Sequence, residues 1–167
     1  MKKEIFVVLD NIRSRENVGS IFRTSDAAGV SKIYLCGITP TPKNNYELRI
    51  KNRESDKIAK TALGAEKWVP WEYHKQTWRL LNELRADGLL LVALEQTKKS
   101  IDVFKLKSIG HKPLALIVGN EVKGLSQKIL KYTDKKIAIR MYGKKESLNV
   151  SVAFGVAIYQ ILRSYIV

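Results

Sequence analysis

Residues 5–36 read IFVVLDNIRSRENVGSIFRTSDAAGVSKIYLC, and this stretch carries the pattern that indicates the fold class. Two short apolar runs, residues 5–9 and 33–36, are typical of buried strands. Between them, residues 17–28 place apolar and small side chains at helical spacing, and Gly29 supplies a C-terminal stop. The order strand, helix, strand predicts a βαβ unit, which favours a parallel sheet.

The same alternation continues along the rest of the chain. An exposed loop is expected over residues 38–52. The patterns predict helices at residues 53–63, 75–86, 126–132 and 149–165, and strands at residues 68–69, 89–94, 113–118 and 136–141. In the third helix we expect Trp78, Leu81 and Leu84 to point inward. No repeat or flexible linker interrupts the pattern, so we expect residues 1–167 to form a single α/β domain.

Charge is the most informative feature of the composition. The chain has 30 Lys and Arg against 16 Asp and Glu, a formal net charge of +14. Such an excess favours a polyanion as partner, and nucleic acid first, over a merely solvated basic surface. The lysines are spread along the whole chain, without the basic amphipathic helix that a membrane-surface role requires.

Other functional classes are disfavoured by what the sequence contains. The longest apolar run, residues 89–94, is too short to span a bilayer, and the apolar run near the N-terminus is too brief for a signal peptide. A single cysteine, Cys36, fits a reducing cytoplasm. With only His74 and His111 beside it, no conventional zinc site can be assembled, and we expect no metal.

The loop after the first strand brings three arginines to one helix N-terminus. Arg13, Arg15 and Arg23 surround this terminus, whose first backbone amides lack intrahelical partners and therefore attract anions. This arrangement suits a phosphodiester. The alternative is that the arginines are solvated and Asn17 caps the helix; Asn17 can also serve both purposes.

The loop after the strand at residues 113–118 is bounded by two glycines, Gly119 and Gly124. Its spacing approaches that of a phosphate-binding P-loop, but Leu125 occupies the position of the essential lysine, which excludes nucleotide hydrolysis. No dinucleotide-binding fingerprint follows the first strand either. What remains is a turn whose amides can approach a ligand closely, with Glu121 beside it.

A third polar segment, around Ser147, Asn149 and Ser151, leads into the last helix. Helix capping alone would explain this set. No Ser-His-Asp or Cys-His arrangement accompanies it. The residues by themselves thus predict a basic α/β domain with a polar, glycine-flanked pocket, and they do not specify a reaction.

Taken together, the three loops resemble the three motifs of the SpoU/TrmH-like RNA ribose methyltransferases, the SpoU branch of the SPOUT class. The first motif matches at residues 17–23 and 26–29, the second at residues 117–125, and the third at residues 141–143 and 146–153. In this order and spacing the trio is specific, and it spans nearly the whole chain. One departure is Arg140, where the family usually has proline.

The resemblance implies a fold with a deep C-terminal trefoil knot, S-adenosylmethionine as cofactor, and a homodimer whose active site draws on both subunits. An apolar stripe on the last helix that exceeds one core would fit such a dimer. The implied catalytic residues are Arg23, Asn17, Glu121, Ser147 and Asn149. The implied cofactor-binding residues are Leu94, Gly119, Asn120, Gly124, Ile139, Met141, Ser147 and Leu148.

The function that the resemblance implies is methylation of a ribose 2′-hydroxyl in tRNA or rRNA, in the cytoplasm. Without an added RNA-binding domain, we expect the catalytic domain's own basic residues to hold the RNA, namely Arg13, Arg15, Arg23, Lys51 and Arg53. Two alternatives remain open. One is a catalytically inactive RNA-binding or assembly protein with the same fold, and the other is an enzyme that methylates a base nitrogen.

Overall fold

The computed structural model describes residues 4–42, 56–106 and 112–166, which form one seven-stranded sheet. The order across the sheet is β3-β2-β1-β6-β4-β7-β5, and every neighbouring pair is parallel. The predicted α/β class with a parallel sheet is therefore confirmed. Strands β1 to β7 comprise Ile5–Asp10, Lys32–Cys36, Trp71–His74, Leu90–Leu94, Ile101–Asp102, Leu114–Val118 and Lys135–Ala138.

Five α-helices occur in the described ranges. Helices α1 to α5 comprise Arg15–Ala27, Lys57–Ala62, Thr77–Ala86, Gln127–Leu130 and Val150–Ile166. Helix α1 begins at Ser14, whose hydroxyl accepts a hydrogen bond from the Asn17 amide, and it gives way at Gly29 to a left-handed turn with φ of +68°. The predicted elements are thus present for the most part, with ends that shift by a few residues.

Two apolar cores cover the two faces of the sheet, because successive strand residues point to opposite sides. On one face Val7 and Leu9 pack in a core with Phe22 of α1 and Phe154 of α5. On the other face Val8 belongs to a core with residues of α3 and α4. The sheet is therefore covered on both sides, as parallel sheets require.

Three details differ from the sequence prediction. The strand expected at residues 68–69 lies at Trp71–His74, because residues 65–67 form a 3-10 turn after the left-handed Gly64. Strand β5 was not predicted, since two residues are too few for an apolar pattern. In α3 the residues that point inward are Leu80, Leu81 and Leu84, whereas the expected Trp78 is only half-buried.

Helix α2 begins after Asp56, whose side chain caps it, later than the predicted residue 53. Residues 53–55 of that prediction, and residues 43–52 of the predicted loop, lie outside the described residues. Among the helices that are described, none is long and apolar enough to cross a membrane. The trefoil knot and the single-domain boundary at residues 1–167 stay predictions.

The sheet topology determines where a site can form. Strand β1 lies between β2 and β6, so the strand order reverses there, and a crevice opens at the carboxyl ends of the neighbouring strands. Leu94 at the end of β4 is paired with Val118 of β6 and Ile137 of β7. The loops that follow β1, β4, β6 and β7 consequently meet at one edge of the sheet.

Close packing of α1 against α2 leads to the first prediction. A Cβ added at Gly19 would collide with the Thr61 hydroxyl and the Ile58 carbonyl, so we expect Gly19→Ala to destabilise the protein by about 1–3 kcal/mol. Chemical denaturation measures this change. The matched control is Gly155→Ala in α5, where the nearest atom is 3.9 Å away and alanine should stabilise by about 0.5–1 kcal/mol. Equal stability of the two variants would contradict the packing described here.

Candidate functional site

The site is centred on the carboxylate of Glu121, in the turn after β6. Its Oε1 accepts hydrogen bonds from the backbone amides of Arg13 (3.2 Å) and Ser14 (3.0 Å) and from the Asn17 side-chain amide (3.2 Å). Its Oε2 accepts a second, 3.0 Å bond from the Arg13 amide. Glu121 therefore joins the second loop to the first loop and to the start of α1.

Asn17 extends this junction to the third loop. Its Oδ1 accepts a 3.1 Å hydrogen bond from the side-chain amide of Asn149, while its own amide donates to Glu121. One alternative from the sequence was that Asn17 caps α1. The structure contradicts it, because Ser14 is in the capping position. Asn149 both caps and connects, since its Oδ1 also accepts from the Ser151 amide at 2.9 Å.

The protonation state of Glu121 follows from these donors. Partial burial by itself would raise the pKa of its carboxyl group, but the amides of Ser14 and Arg13, with further help from Asn17, outweigh that effect. The net pKa is lowered from its ordinary value. Glu121 is thus an ionised carboxylate at neutral pH, whose lone pairs are largely engaged by donors.

Beside this junction a pocket of about 210 Å³ opens between the ends of β4, β6 and β7. It is lined by all eight residues that the sequence assigned to the cofactor, namely Leu94, Gly119, Asn120, Gly124, Ile139, Met141, Ser147 and Leu148. The structure thus brings together residues that are up to 54 positions apart in the chain.

The backbone of the second loop requires glycine at two positions, Gly119 and Gly124. A Cβ at Gly119 would lie 2.6 Å from the Leu125 nitrogen, and Gly124 has a left-handed φ of +63°. The Asn120 side chain donates a 2.8 Å hydrogen bond to the Asn11 carbonyl, which fixes the turn against the end of β1. The pocket wall is consequently made of closely packed backbone.

Glu95 is a pocket residue that the sequence analysis missed. It follows β4 directly, and its Oε2 accepts a 2.6 Å hydrogen bond from the Leu125 amide. The signal available in the sequence was its position as the first polar residue after a buried strand, at the edge where sites form. Together with Glu121 and Glu146, it gives the pocket three carboxylates.

The predicted arginines have different surroundings. Arg13 is exposed, whereas Arg15 is partly buried and its Nη1 is enclosed, with no hydrogen-bond partner among the described residues. Arg23 is exposed, makes no hydrogen bond or ion pair within the described ranges, and does not line the pocket. Lys51 and Arg53 lie outside the described residues. The chain therefore brings together four of the five predicted catalytic residues, while Arg23 lies apart.

The position of Arg23 follows from helix geometry. It lies six positions after Asn17 on α1, so the two side chains point about 120° apart around the helix axis. Arg23 is therefore on a different face of α1 from Asn17, and it does not line the pocket beside the Glu121 junction. Within the described ranges no group of His, Cys, Asp and Glu could hold a metal ion.

Comparison with known proteins places this geometry in context. Residues 4–159 match the SpoU rRNA Methylase family. The chain is 34% identical to a tRNA (guanosine(18)-2′-O)-methyltransferase of Aquifex aeolicus, over 97% of this chain and 70% of the relative. It is 32% identical to the 23S rRNA (guanosine-2′-O-)-methyltransferase RlmB of Haemophilus influenzae, over 95% of this chain and 59% of the relative.

A solved structure agrees with the sequence relatives. The crystal structure of an AdoMet-bound rRNA methyltransferase from Sinorhizobium meliloti superimposes with a TM-score of 0.79 at 28% identity. The match covers 98% of this chain and 57% of that one. The chain thus spans a little more than half the length of that protein.

The Glu121 junction leads to the second prediction. Glu121→Gln keeps the size of the side chain but removes its charge and exchanges an acceptor for a donor, so we expect a stability loss of about 1 kcal/mol at neutral pH. Because the pKa is lowered in the folded protein, the contribution is complete above the ordinary value of 4.5 and disappears as the pH falls through the folded-state pKa.

Denaturation of wild type and variant at several pH values measures this difference. The control is Glu83→Gln, which changes an exposed carboxylate on α3. A stability difference that stays constant down to pH 2 would contradict the assigned role of the charge.

Proposed function

This chain belongs to the SpoU rRNA methylase family, and we propose that it transfers the methyl group of S-adenosylmethionine to a ribose 2′-hydroxyl of tRNA or rRNA. The observation that carries the proposal is the junction of Asn17, Glu121 and Asn149, which joins all three family motifs beside one pocket. Both curated relatives named above are ribose methyltransferases, one acting on tRNA and the other on rRNA.

The residues of the pocket fit S-adenosylmethionine. Apolar side chains of Ile139, Met141 and Leu148 offer walls for an adenine ring, and the backbone of the second loop offers amides and carbonyls. The carboxylates of Glu95, Glu121 and Glu146 complement a cationic ligand. When bound, this cofactor supplies a methyl group already activated by its sulfonium, so the protein's main tasks are alignment and removal of the hydroxyl proton.

Glu121 is suited to hold the site rather than to take up a proton. Its pKa is lowered, and backbone and side-chain amides already donate to it. Asn17 and Asn149, fixed by one another, then present a rigid polar wall in which Ser147 also lies. Such preorganised groups orient a ribose without reorganising during the reaction.

Arg23 is proposed to bind the phosphate next to the reacting ribose. A guanidinium stays protonated at neutral pH and is therefore a poor general base. It can hold the phosphate and stabilise the developing alkoxide, while the phosphate oxygen shares the proton. Arg13 and Arg15 are proposed to hold neighbouring phosphates, because both flank the N-terminal end of α1.

We propose further that the protein acts as a homodimer in which one copy supplies Arg23 to the pocket of the other. Two observations support this proposal. Arg23 does not line its own chain's pocket and lies about a third of a turn away from Asn17 on α1. In addition, α5 exposes Val152 (52%) and Tyr159 (53%), seven residues apart on one face, which is apolar surface suited to a partner.

The direct test of the proposed function is methyl transfer with labelled S-adenosylmethionine and bulk tRNA or rRNA that lacks the modification. We expect label in a 2′-O-methylated nucleoside, with the adjacent linkage resistant to alkali. Label in a base would favour the base-methylating alternative. RNA binding without methyl transfer would favour the inactive RNA-binding alternative.

Arg23→Ala should lower turnover at saturating RNA by about 10²-fold or more, because its contact strengthens in the transition state. Affinity for S-adenosylmethionine, measured by calorimetry, should remain unchanged. The control is Arg85→Ala, which removes a guanidinium that binds Asp134 and the Tyr132 carbonyl away from the pocket.

Mixing two inactive variants tests the contribution of the second copy. Arg23→Ala combined with Asn149→Ala should regain part of the activity, since a mixed dimer contains one complete site. Near-normal turnover of Arg23→Ala alone, or no recovery on mixing, would contradict the assignment of Arg23 to the other copy's pocket.

A further inference from the structure

A second cavity lies beside the proposed active site, across the turn that follows β6. It encloses about 760 Å³ and shares Asn120, Val122 and Gly124 with the cofactor pocket. That volume is within the range of about 300–1,000 Å³ that small-ligand pockets occupy. The family motifs assign nothing to most of this cavity, which also involves the start of α3.

The accessible charges of this cavity are positive. Arg13, Lys75 and Lys123 line it, and the one acid among its lining residues is Asp10. Asp10 is 3% exposed, and its carboxylate accepts hydrogen bonds from the Thr77 hydroxyl (2.5 Å) and the Asn11 amide (3.1 Å). Burial raises the pKa of the Asp10 carboxyl.

The remaining lining suits a nucleobase. Trp78 is half-buried at the cavity wall, and the cations of Arg79 and Lys128 lie 5.3 Å and 5.0 Å from its ring. The Gln76 side chain is exposed, and among the described residues its amide neither caps α3 nor makes another hydrogen bond. Cations for phosphate, an aromatic ring and a free amide are the groups that proteins use to bind unpaired RNA nucleotides.

The cavity is also joined to the proposed active site. The Arg13 backbone amide donates to Glu121 while Arg13 itself lines the cavity, and Asn120 contributes to both pockets. A ligand in the cavity would thus lie next to the reacting ribose. Because a substrate RNA continues beyond the methylated nucleotide, its neighbouring nucleotides need such a surface.

We propose that this second cavity binds a nucleotide of the RNA substrate other than the one that is methylated. Its phosphate lies against Arg13, Lys75 and Lys123, and its base lies toward Trp78 and Gln76. The proposal rests on the proposed function and identifies residues that hold the RNA in addition to the loop arginines.

The test compares two double variants that each remove two positive charges. Lys75→Ala with Lys123→Ala changes the cavity, and Lys131→Ala with Lys135→Ala changes lysines that follow α4 and begin β7, away from it. With bulk tRNA as the probe, we expect the cavity variant to bind at least about tenfold more weakly than the control. The slope of log affinity against log salt concentration should become shallower by about one unit, because the proposal places one phosphate against these two lysines.

A fluorescence measurement reports on the base. The double variant Trp68→Phe with Trp71→Phe retains Trp78 as its single tryptophan. Binding of tRNA should change the fluorescence emission of Trp78 and reduce the quenching of that emission by acrylamide. Affinity of the cavity variant for S-adenosylmethionine should equal that of the wild type. In methyl-transfer assays the cavity variant should have a raised KM for RNA and a nearly unchanged kcat.

Equal tRNA affinity of the two double variants, with unchanged Trp78 emission, would overturn this proposal and leave the proposed function intact. Absence of methyl transfer by the wild type would instead contradict the proposed function. The comparison of tRNA affinities would still decide whether the cavity binds RNA, because it does not depend on turnover.

Discussion

The Glu121 carboxylate holds the site together, because it accepts hydrogen bonds from the first loop and from Asn17, which in turn accepts one from Asn149 of the third loop. It fixes the amides of Arg13 and Ser14 at the start of α1, and through Asn17 it reaches Asn149 at the start of α5. These loops follow different strands, and only the parallel sheet brings their ends to one edge. Without an acceptor at position 121, the backbone amides of Arg13 and Ser14 would lose their hydrogen-bond partner. The first and second loops would then no longer be joined by these hydrogen bonds.

This junction lies between the pocket that is proposed to bind the cofactor and the cavity that is proposed to bind RNA. The turn that carries Glu121 also forms the wall between the cofactor pocket and the second cavity. Gly119 and Gly124 allow that turn to pack closely against the Leu125 backbone and the Glu95 carboxylate. A ligand in either pocket therefore contacts the same rigid segment.

The sequence alone predicted most strands, the main helices and the edge of the sheet at which the polar loops meet. Each of these depends on local apolar patterns or on the rules of parallel sheets. It could not distinguish Ser14 from Asn17 as the cap of α1, because both are good capping residues near the helix start. Glu95 was missed because a single acid after a strand is ordinary, and its bond to Leu125 depends on tertiary packing. The separation of Arg23 from Asn17 was available from helical spacing alone.

Hydrogen exchange of the backbone amides, with and without S-adenosylmethionine, tests the central role of Glu121 most directly. The amides of Arg13 and Ser14 lie outside the cofactor pocket but donate to Glu121, which lines it. Cofactor binding should therefore slow exchange at Arg13 and Ser14 as well as in the turn at residues 119–125. Protection that is confined to the pocket and leaves these two amides unchanged would contradict the account.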